Sequence, residues 1–247
     1  MCGRFTLTTE LATAASVFGC ECEDKAPPRY NIAPTQPISV IFQEFGQRQM
    51  RLMRWGFVPS WVKDPKDFSL IINARSESVL HKPSFKSAIR HRRCIIPADG
   101  FYEWHRKGGV KTPYYIKPKH DGVVGYAGIF ETYASANGSE IDTACFLTTA
   151  ASADIAAIHH RMPVLVSPEK AEMWLDCTNY SAKDVGAFYD NAQTGLYDIR
   201  PISDRVNSAR FDEPSLQNAI DLKKKDEITK EENASKKNEP SPQLSLF

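Results

Sequence analysis

The residues best equipped for covalent chemistry open the chain, Met1-Cys2-Gly3-Arg4-Phe5. With Met1 removed, Cys2 carries a free α-amine and a thiol on adjacent carbons, a 1,2-aminothiol that no other natural residue offers. Such a pair captures aldehydes: the amine condenses to a Schiff base, and the sulfur closes onto the imine carbon as a five-membered thiazolidine. Closure is intramolecular, so its effective molarity is high. An unperturbed α-amine titrates near pH ~8 and a free thiol near ~8.5, which leaves both reactive forms accessible at neutral pH with modest help from neighbours. Taken alone, the residue also reads, and more simply, as a cysteine that follows the start codon.

Other polar groups stand where strands and helices end. Asn73-Ala-Arg-Ser-Glu77 follows the apolar run Leu70-Ile71-Ile72, which reads as a buried strand. Glu103 lies between Tyr102 and Trp104; turned inward, a carboxyl so flanked is desolvated, with a raised pKa suited to proton transfer. Strand alternation by itself turns it outward. His159 and His160 close a helical stretch ahead of Met162-Pro163 and could be ligands, a general acid/base or surface groups. With no partner motif nearby, the surface reading is the simpler one. Arg4, Arg29, Arg48, Arg51, Arg54, Arg75 and the run Arg90-His91-Arg92-Arg93 all fall in the first hundred residues, so a net charge of only +1 admits a basic face. The planar guanidinium fork suits phosphate, whereas any single arginine reads as solvated surface. Trp55-Gly-Phe-Val-Pro-Ser-Trp61 is aromatic and turn-rich: core, or a platform on which nucleobases stack.

These groups need a scaffold. At 247 residues, 42% hydrophobic and 25% charged, the chain can bury a substantial core as one large domain or two small ones. No apolar run reaches the roughly 20 residues of a membrane span and no secretory signal pattern opens the chain, so a cytoplasmic protein is expected. In that compartment the six cysteines are expected to be free thiols. Cys20-Glu-Cys22 without further ligands does not define a zinc site, so no metal and no cofactor are expected. Residues 7–19 predict a short helix capped by Thr8 or Thr9 and ended by Gly19. The four prolines of 27–37 demand an ordered loop. Ile38 to Phe42 and Met50 to Trp55 predict paired strands across the turn between them, and 108–145 reads as strands and turns. Helices are expected over Ala150 to Ile158 and over Ser167 to Leu175, the second with Ser167 as cap and Pro168 at its first position.

Composition changes near Gln217. Asp221 to Pro242 holds six lysines and six acids and almost nothing apolar, the composition of a disordered tether. Yet the chain ends Gln243-Leu244-Ser245-Leu246-Phe247, an apolar tip suited to docking in another protein's groove.

Taken together, Cys2-Gly-Arg-Phe, Tyr30-Asn-Ile-Ala-Pro-Thr, Trp55-Gly-Phe-Val-Pro-Ser-Trp, Asn73-Ala-Arg-Ser-Glu, Ile96-Pro-Ala-Asp-Gly-Phe-Tyr-Glu-Trp and Ile158-His-His-Arg-Met-Pro resemble, in order and spacing, the SRAP family of SOS-response-associated peptidase or abasic-site processing proteins. The resemblance runs from Cys2 to about Asn207. It implies a single α+β domain (2–215) with a mostly antiparallel, barrel-like β core and surrounding helices, followed by a charged linker (216–242) and the terminal peptide (243–247). The implied activity is covalent capture of abasic sites in single-stranded DNA by a Cys2 thiazolidine, with an AP-lyase side reaction. The resemblance makes Asn73 the residue that orients the terminal amine or sugar, Glu103 the group that assists ring opening and proton transfer, and His159 the general acid/base. It gives Arg4, Arg75 and Arg161 to phosphates, and Pro34 and Trp61 to wedging or stacking against bases. Where many relatives carry a second aromatic or small residue beside Trp61, this chain has Val62. Gln243, Leu244, Leu246 and Phe247 resemble the clamp-binding peptide of bacterial replication proteins, which implies a sliding-clamp partner, a bacterial source and a site of action at the replication fork. A monomer is expected.

Two other functions compete on the residues. A Cys2-dependent thiol (auto)peptidase with His159 as base accounts for those two residues but leaves the arginines, the aromatic loop and the tail unused. A non-covalent, clamp-bound single-stranded DNA adaptor uses the tail and the arginines but not the aminothiol.

Overall fold

The computed structural model describes residues 2–120, 122–135, 137–190 and 194–222. Two strands, β3 (Pro37–Glu44) and β4 (Gln47–Trp55), pair antiparallel from Pro37 opposite Arg54 to Glu44 opposite Gln47. The turn is Phe45-Gly46, with φ of 52° and 77°, the two left-handed residues of a tight hairpin whose twist matches that of its strands. From this hairpin the chain builds a closed ring. β3 pairs β6 (Arg93–Ala98), β6 pairs β9 (Val124–Ala134), β9 pairs β10 (Glu140–Ala150), and β10 returns to β4, in parallel where the other pairs are antiparallel. Closure pairs the edges of these strands with one another and encloses side chains rather than a channel.

A second antiparallel sheet runs in the order β13 (Tyr197–Pro201), β8 (Val110–Pro118), β7 (Gly100–Lys107), β1 (Arg4–Leu7), β2 (Arg29–Ile32). Phe5 of β1, Trp55 of β4 and Phe146 of β10 meet edge to face with ring centroids 5.2–5.3 Å apart, so one aromatic cluster fastens the N-terminal strand to the barrel. The α+β, barrel-like fold implied by the resemblance is the observed one.

Helices are short and lie outside the barrel: α1 (Leu11–Val17), α2 (Ser76–Val79), α3 (Pro83–Lys86), α4 (Ala88–His91), α5 (Ala153–Ala156) and α6 (Ala171–Leu175). Segments this short are not stable alone and are held by packing. Trp174 of α6, for example, is fully buried and donates its indole N–H to the Cys94 carbonyl at 2.7 Å. Several expectations change accordingly. The stretch 150–158 makes one helical turn, because its first residue still belongs to β10. Residues 167–175 make a 3₁₀ turn at Pro168–Lys170 before α6. Thr8 and Thr9 do not cap α1: both backbone N–H groups and both hydroxyls donate to the Asp99 carboxylate, which lies between β6 and β7. Gly19, at φ 63°, does end the α1 segment.

The folded body continues past residue 215. Leu216 is buried and Ala219 bridges Ile202. Most of the charged linker, from residue 223, and the peptide Gln243 to Phe247 lie outside the described residues. No helix among the described residues is long and apolar enough to cross a membrane.

Candidate active site

Strand pairing brings three distant segments to Cys2. Arg4 lies opposite Tyr102, which runs the N-terminus alongside Glu103. On β10, Phe146, Leu147 and Thr148 pair in parallel with β5 (Asn73–Arg75), while Thr148, Thr149 and Ala150 pair antiparallel with β11 (Arg161–Pro163). One end of β10 thus carries Asn73 on one flank and the His159–Arg161 segment on the other. Contrary to the expectation from Leu70-Ile71-Ile72, the strand begins at Asn73 itself. Leu70 is exposed and the two isoleucines are half-buried; Ile71 bridges Phe57 and the Ile72 carbonyl accepts from the Phe146 N–H of β10, but regular pairing with β10 starts at Asn73.

Cys2 is 1% exposed. Its carbonyl accepts from Asn73 Nδ2 at 2.9 Å, and its thiol donates to the Arg4 carbonyl at 3.6 Å. Asn73 Oδ1 is buried and has no hydrogen-bond partner among the described residues. Burial, reinforced by the Glu103 carboxylate and opposed by the chain's amino group, pushes the Cys2 thiol well above the ordinary thiol range. With Met1 in place the thiol is therefore held as the neutral S–H rather than the thiolate.

Glu103 is 2% exposed and points inward, against strand alternation. Residues 100–103 are all buried: β7 lies between β1 and β8 in its sheet, its Phe101 face is packed in the main core and its Tyr102 face is covered by Ile202, Val206 and Leu216. Its Oε2 accepts from the Trp104 N–H at 3.3 Å, and its Oε1 lies 3.8 Å from His159 Nδ1. His159 is partly buried, not a surface group. Burial lowers its pKa, with Glu103 opposing that shift, so the ring is neutral at physiological pH. Its Nδ1 accepts from the Arg161 N–H at 3.0 Å, and its ring stacks on exposed His160 at 4.4 Å.

The basic face largely dissolves into internal staples. Arg93 is buried and donates to the carbonyls of Trp174, Ile89, Asp176 and Tyr180. Arg92 pairs with Glu131 and Arg51 with Asp142, while Arg29 and Arg48 hold main-chain carbonyls. Arg4 donates to Asn31 Oδ1 and to the carbonyls of Val206 and Asn207. Arg161 makes a bidentate pair with Glu77, at 2.6 and 2.9 Å. Of the three arginines the resemblance assigned to phosphate, only Arg75 is exposed and makes no side-chain bond among the described residues. Most of these bonds had no local signal, because apart from the Ile89 and Pro37 carbonyls their acceptors are remote in sequence.

Arg75 shares an open groove of about 420 Å³ with Asn73, Lys82 and Phe85. At Leu70 this groove meets an apolar hollow of about 390 Å³, lined by Thr35, Gly56, Val58 and Phe68. Trp61 stands beside the hollow, 59% exposed, with its ring edge-on to Phe68 at 5.8 Å. Pro34 precedes Thr35, whose φ of 74° and N–H bond to the Trp55 carbonyl shape that loop. Val62 is buried with Val58 and Tyr133 beneath the Trp61 loop. Among the described residues no group of three metal-ligating side chains comes together.

The chain is 34% identical to the abasic site processing protein YoqW of Bacillus subtilis over 220 residues, covering 87% of this chain and 98% of the relative. It is 32% identical to the abasic site processing protein HMCES of Gallus gallus over 232 residues, covering 81% of this chain and 68% of that one. A crystal structure of a protein from Bacteroides thetaiotaomicron shares the fold, with a TM-score of 0.79 at 24% identity over 89% of this chain and all of the other. The model of the family "SOS response associated peptidase (SRAP)" matches residues 1–209, and the chain belongs to the SRAP family.

Proposed function

We propose that the protein captures abasic sites in single-stranded DNA as a Cys2 thiazolidine. The observation that carries this reading is the environment of Cys2: carbonyl held by Asn73, thiol buried and protonated, with Glu103 and His159 paired beside it. Removal of Met1 would convert the Cys2 nitrogen into the amine, next to the unpartnered Asn73 Oδ1.

Glu103 and His159 then handle protons. The amine adds to C1′ of the ring-opened sugar, and the carbinolamine loses its oxygen as water to leave a protonated Schiff base. The neutral thiol adds to the same carbon, and its proton passes to the Glu103–His159 pair. Because the thiol stays protonated until that moment, the amine attacks first. If a base removes a C2′ proton before the sulfur adds, the 3′ phosphate leaves and the strand is cut, which is the lyase side reaction. Arg75 grips a phosphate beside the lesion, while Arg4 contributes its charge from within the fold. Pro34 and Trp61 stack or wedge against bases at the apolar hollow.

The same burial weighs against the thiol-peptidase reading, which needs a thiolate at neutral pH. Limited self-processing that exposes Cys2 is compatible with capture. The deciding experiment is incubation of the Met1-processed protein with an oligonucleotide bearing one abasic site, followed by denaturing electrophoresis and intact mass. A heat-stable adduct without borohydride, absent for Cys2→Ala and Cys2→Ser, supports capture. Its absence from processed wild type would leave the non-covalent adaptor. The terminal Gln243-Leu-Ser-Leu-Phe247 would tether the domain to a sliding clamp, and a clamp pulldown unaffected by its deletion would refute that part.

A further inference from the structure

We propose that Glu77 is a positioning residue for the site: through Arg161 it sets the orientation and tautomer of His159. The Glu77 carboxylate takes both terminal nitrogens of Arg161, at 2.6 and 2.9 Å. Arg161 Nη2 also donates to the Thr148 carbonyl and, at 3.2 Å, to the Thr148 hydroxyl. The arginine side chain is 9% exposed, so its guanidinium is bound in place rather than offered to solvent. Glu77 opens out of α2, four residues after Asn73, and Arg161 begins β11. One ion pair therefore clasps the strand bearing Asn73 to the segment bearing His159 across the end of β10.

The consequence for His159 lies in the Arg161 peptide. Its N–H donates to His159 Nδ1 at 3.0 Å, and its carbonyl lies 3.3 Å from the same nitrogen. In the neutral ring Nδ1 accepts from the N–H, which places the proton on Nε2. When the ring is protonated, Nδ1–H turns to the Arg161 carbonyl or to Glu103 Oε1, 3.8 Å away. Both settings require the Arg161 peptide to stay fixed: its pairing with Ala150 holds the backbone and the Glu77 ion pair anchors the side chain. The charged and titratable groups facing His159 are Glu103 from β7, stacked His160, the chain's amino group and, through its peptide, Arg161. Glu77 acts on the ring only through Arg161. Partial desolvation raises the Glu77 carboxyl, but the Arg161 hydrogen bonds, its own backbone N–H, the Arg161 charge and Ser76 together hold it below the usual range, so the clasp is closed at neutral pH. Arg161 is then an internal anchor of the site.

This inference rests on the capture reading for its kinetic consequence but not for its spectroscopic one. With ¹⁵N-histidine labelling, wild type should show His159 as the Nε2–H tautomer, and Glu77→Gln should show a mixture of tautomers. Glu77→Asp, which keeps the carboxylate, should stay nearer wild type. At saturating abasic DNA the Glu77→Gln adduct should form about 10- to 100-fold more slowly, the cost of misplacing a reacting group by about an ångström. The pH profile should shift, while affinity for undamaged single strands stays the same. Because Glu77 is half-exposed and Gln is isosteric, thermal melting of both variants checks that the fold survives. An unchanged tautomer with a rate within twofold of wild type overturns the proposal. So does a Glu77→Gln defect that lies wholly in DNA affinity, because that would make Arg161 a phosphate ligand. If wild type forms no adduct at all, capture fails, and the tautomer measurement still decides the positioning role.

Discussion

Replacing Asn73 by alanine separates positioning from stability, because the two atoms of its amide have opposite energetic signs. Nδ2 makes a 2.9 Å hydrogen bond to the Cys2 carbonyl, worth about 1 kcal/mol net to the folded state. Oδ1 is buried without a partner, and removing such a group returns about 1–3 kcal/mol. The backbone of Asn73 pairs with Phe146 whatever its side chain. The net stability change is therefore small, within about 2 kcal/mol either way. Capture is affected differently. The amide holds Cys2 through its carbonyl and, on the capture reading, would accept from the new amine once Met1 is gone. Two such bonds, at about 0.5–1.5 kcal/mol each, amount to about 5- to 150-fold in rate. The assay is single-turnover adduct formation with protein in excess over an abasic oligonucleotide, quenched over time and resolved on a denaturing gel beside a melting curve. A rate within twofold of wild type would refute the positioning argument. A slow variant that has also lost several kcal/mol of stability would show Asn73 to be structural. Asn73→Asp should be slower still, since it points an acceptor at the Cys2 carbonyl and its charge keeps the amine protonated.

Three further outcomes follow from the same structure. His159 has a folded pKa held below its ordinary value by burial, so between that value and about 6.5 the unfolded chain binds more protons and stability falls as pH drops; His159→Asn should flatten that slope in chemical denaturation from pH 7 to 5, and an unchanged slope would mean the ring is charged in the native state. Trp61→Ala should weaken single-stranded DNA binding by about 5- to 150-fold, the worth of about 1–3 kcal/mol per stacked base, and leave the melting temperature alone because the ring is 59% exposed; fluorescence anisotropy measures the first and calorimetry the second. Asp99→Ala removes the acceptor of two buried-side N–H groups and two hydroxyls and should cost about 2–4 kcal/mol in denaturant unfolding, whereas a loss below 1 kcal/mol would mean that water replaces the carboxylate.

Some of this molecule is legible along the chain because its physics is local. An aminothiol needs only a terminal cysteine, and the hairpin of β3 and β4 needs only two apolar runs and a glycine turn. The charged composition of 221–242 belongs to the same class, as does the absence of a long apolar run. The order of six short motifs was enough to indicate the family and, with it, Asn73, Glu103 and His159. What the chain could not reveal by itself depends on partners tens to hundreds of residues away. Glu103 faces inward because both faces of β7 are covered there, the Phe101 face by the main core and the Tyr102 face by Ile202, Val206 and Leu216, a burial that alternation within one strand does not register. Arg4, Arg93 and Arg161 look alike as basic residues, and only the folded chain assigns each to carbonyls or to a carboxylate. The protonation of Cys2 is decided in the same way: an isolated terminal thiol titrates near ~8.5, and it is the closed barrel, with the Glu103 charge beside it, that removes water from the sulfur and keeps its proton on.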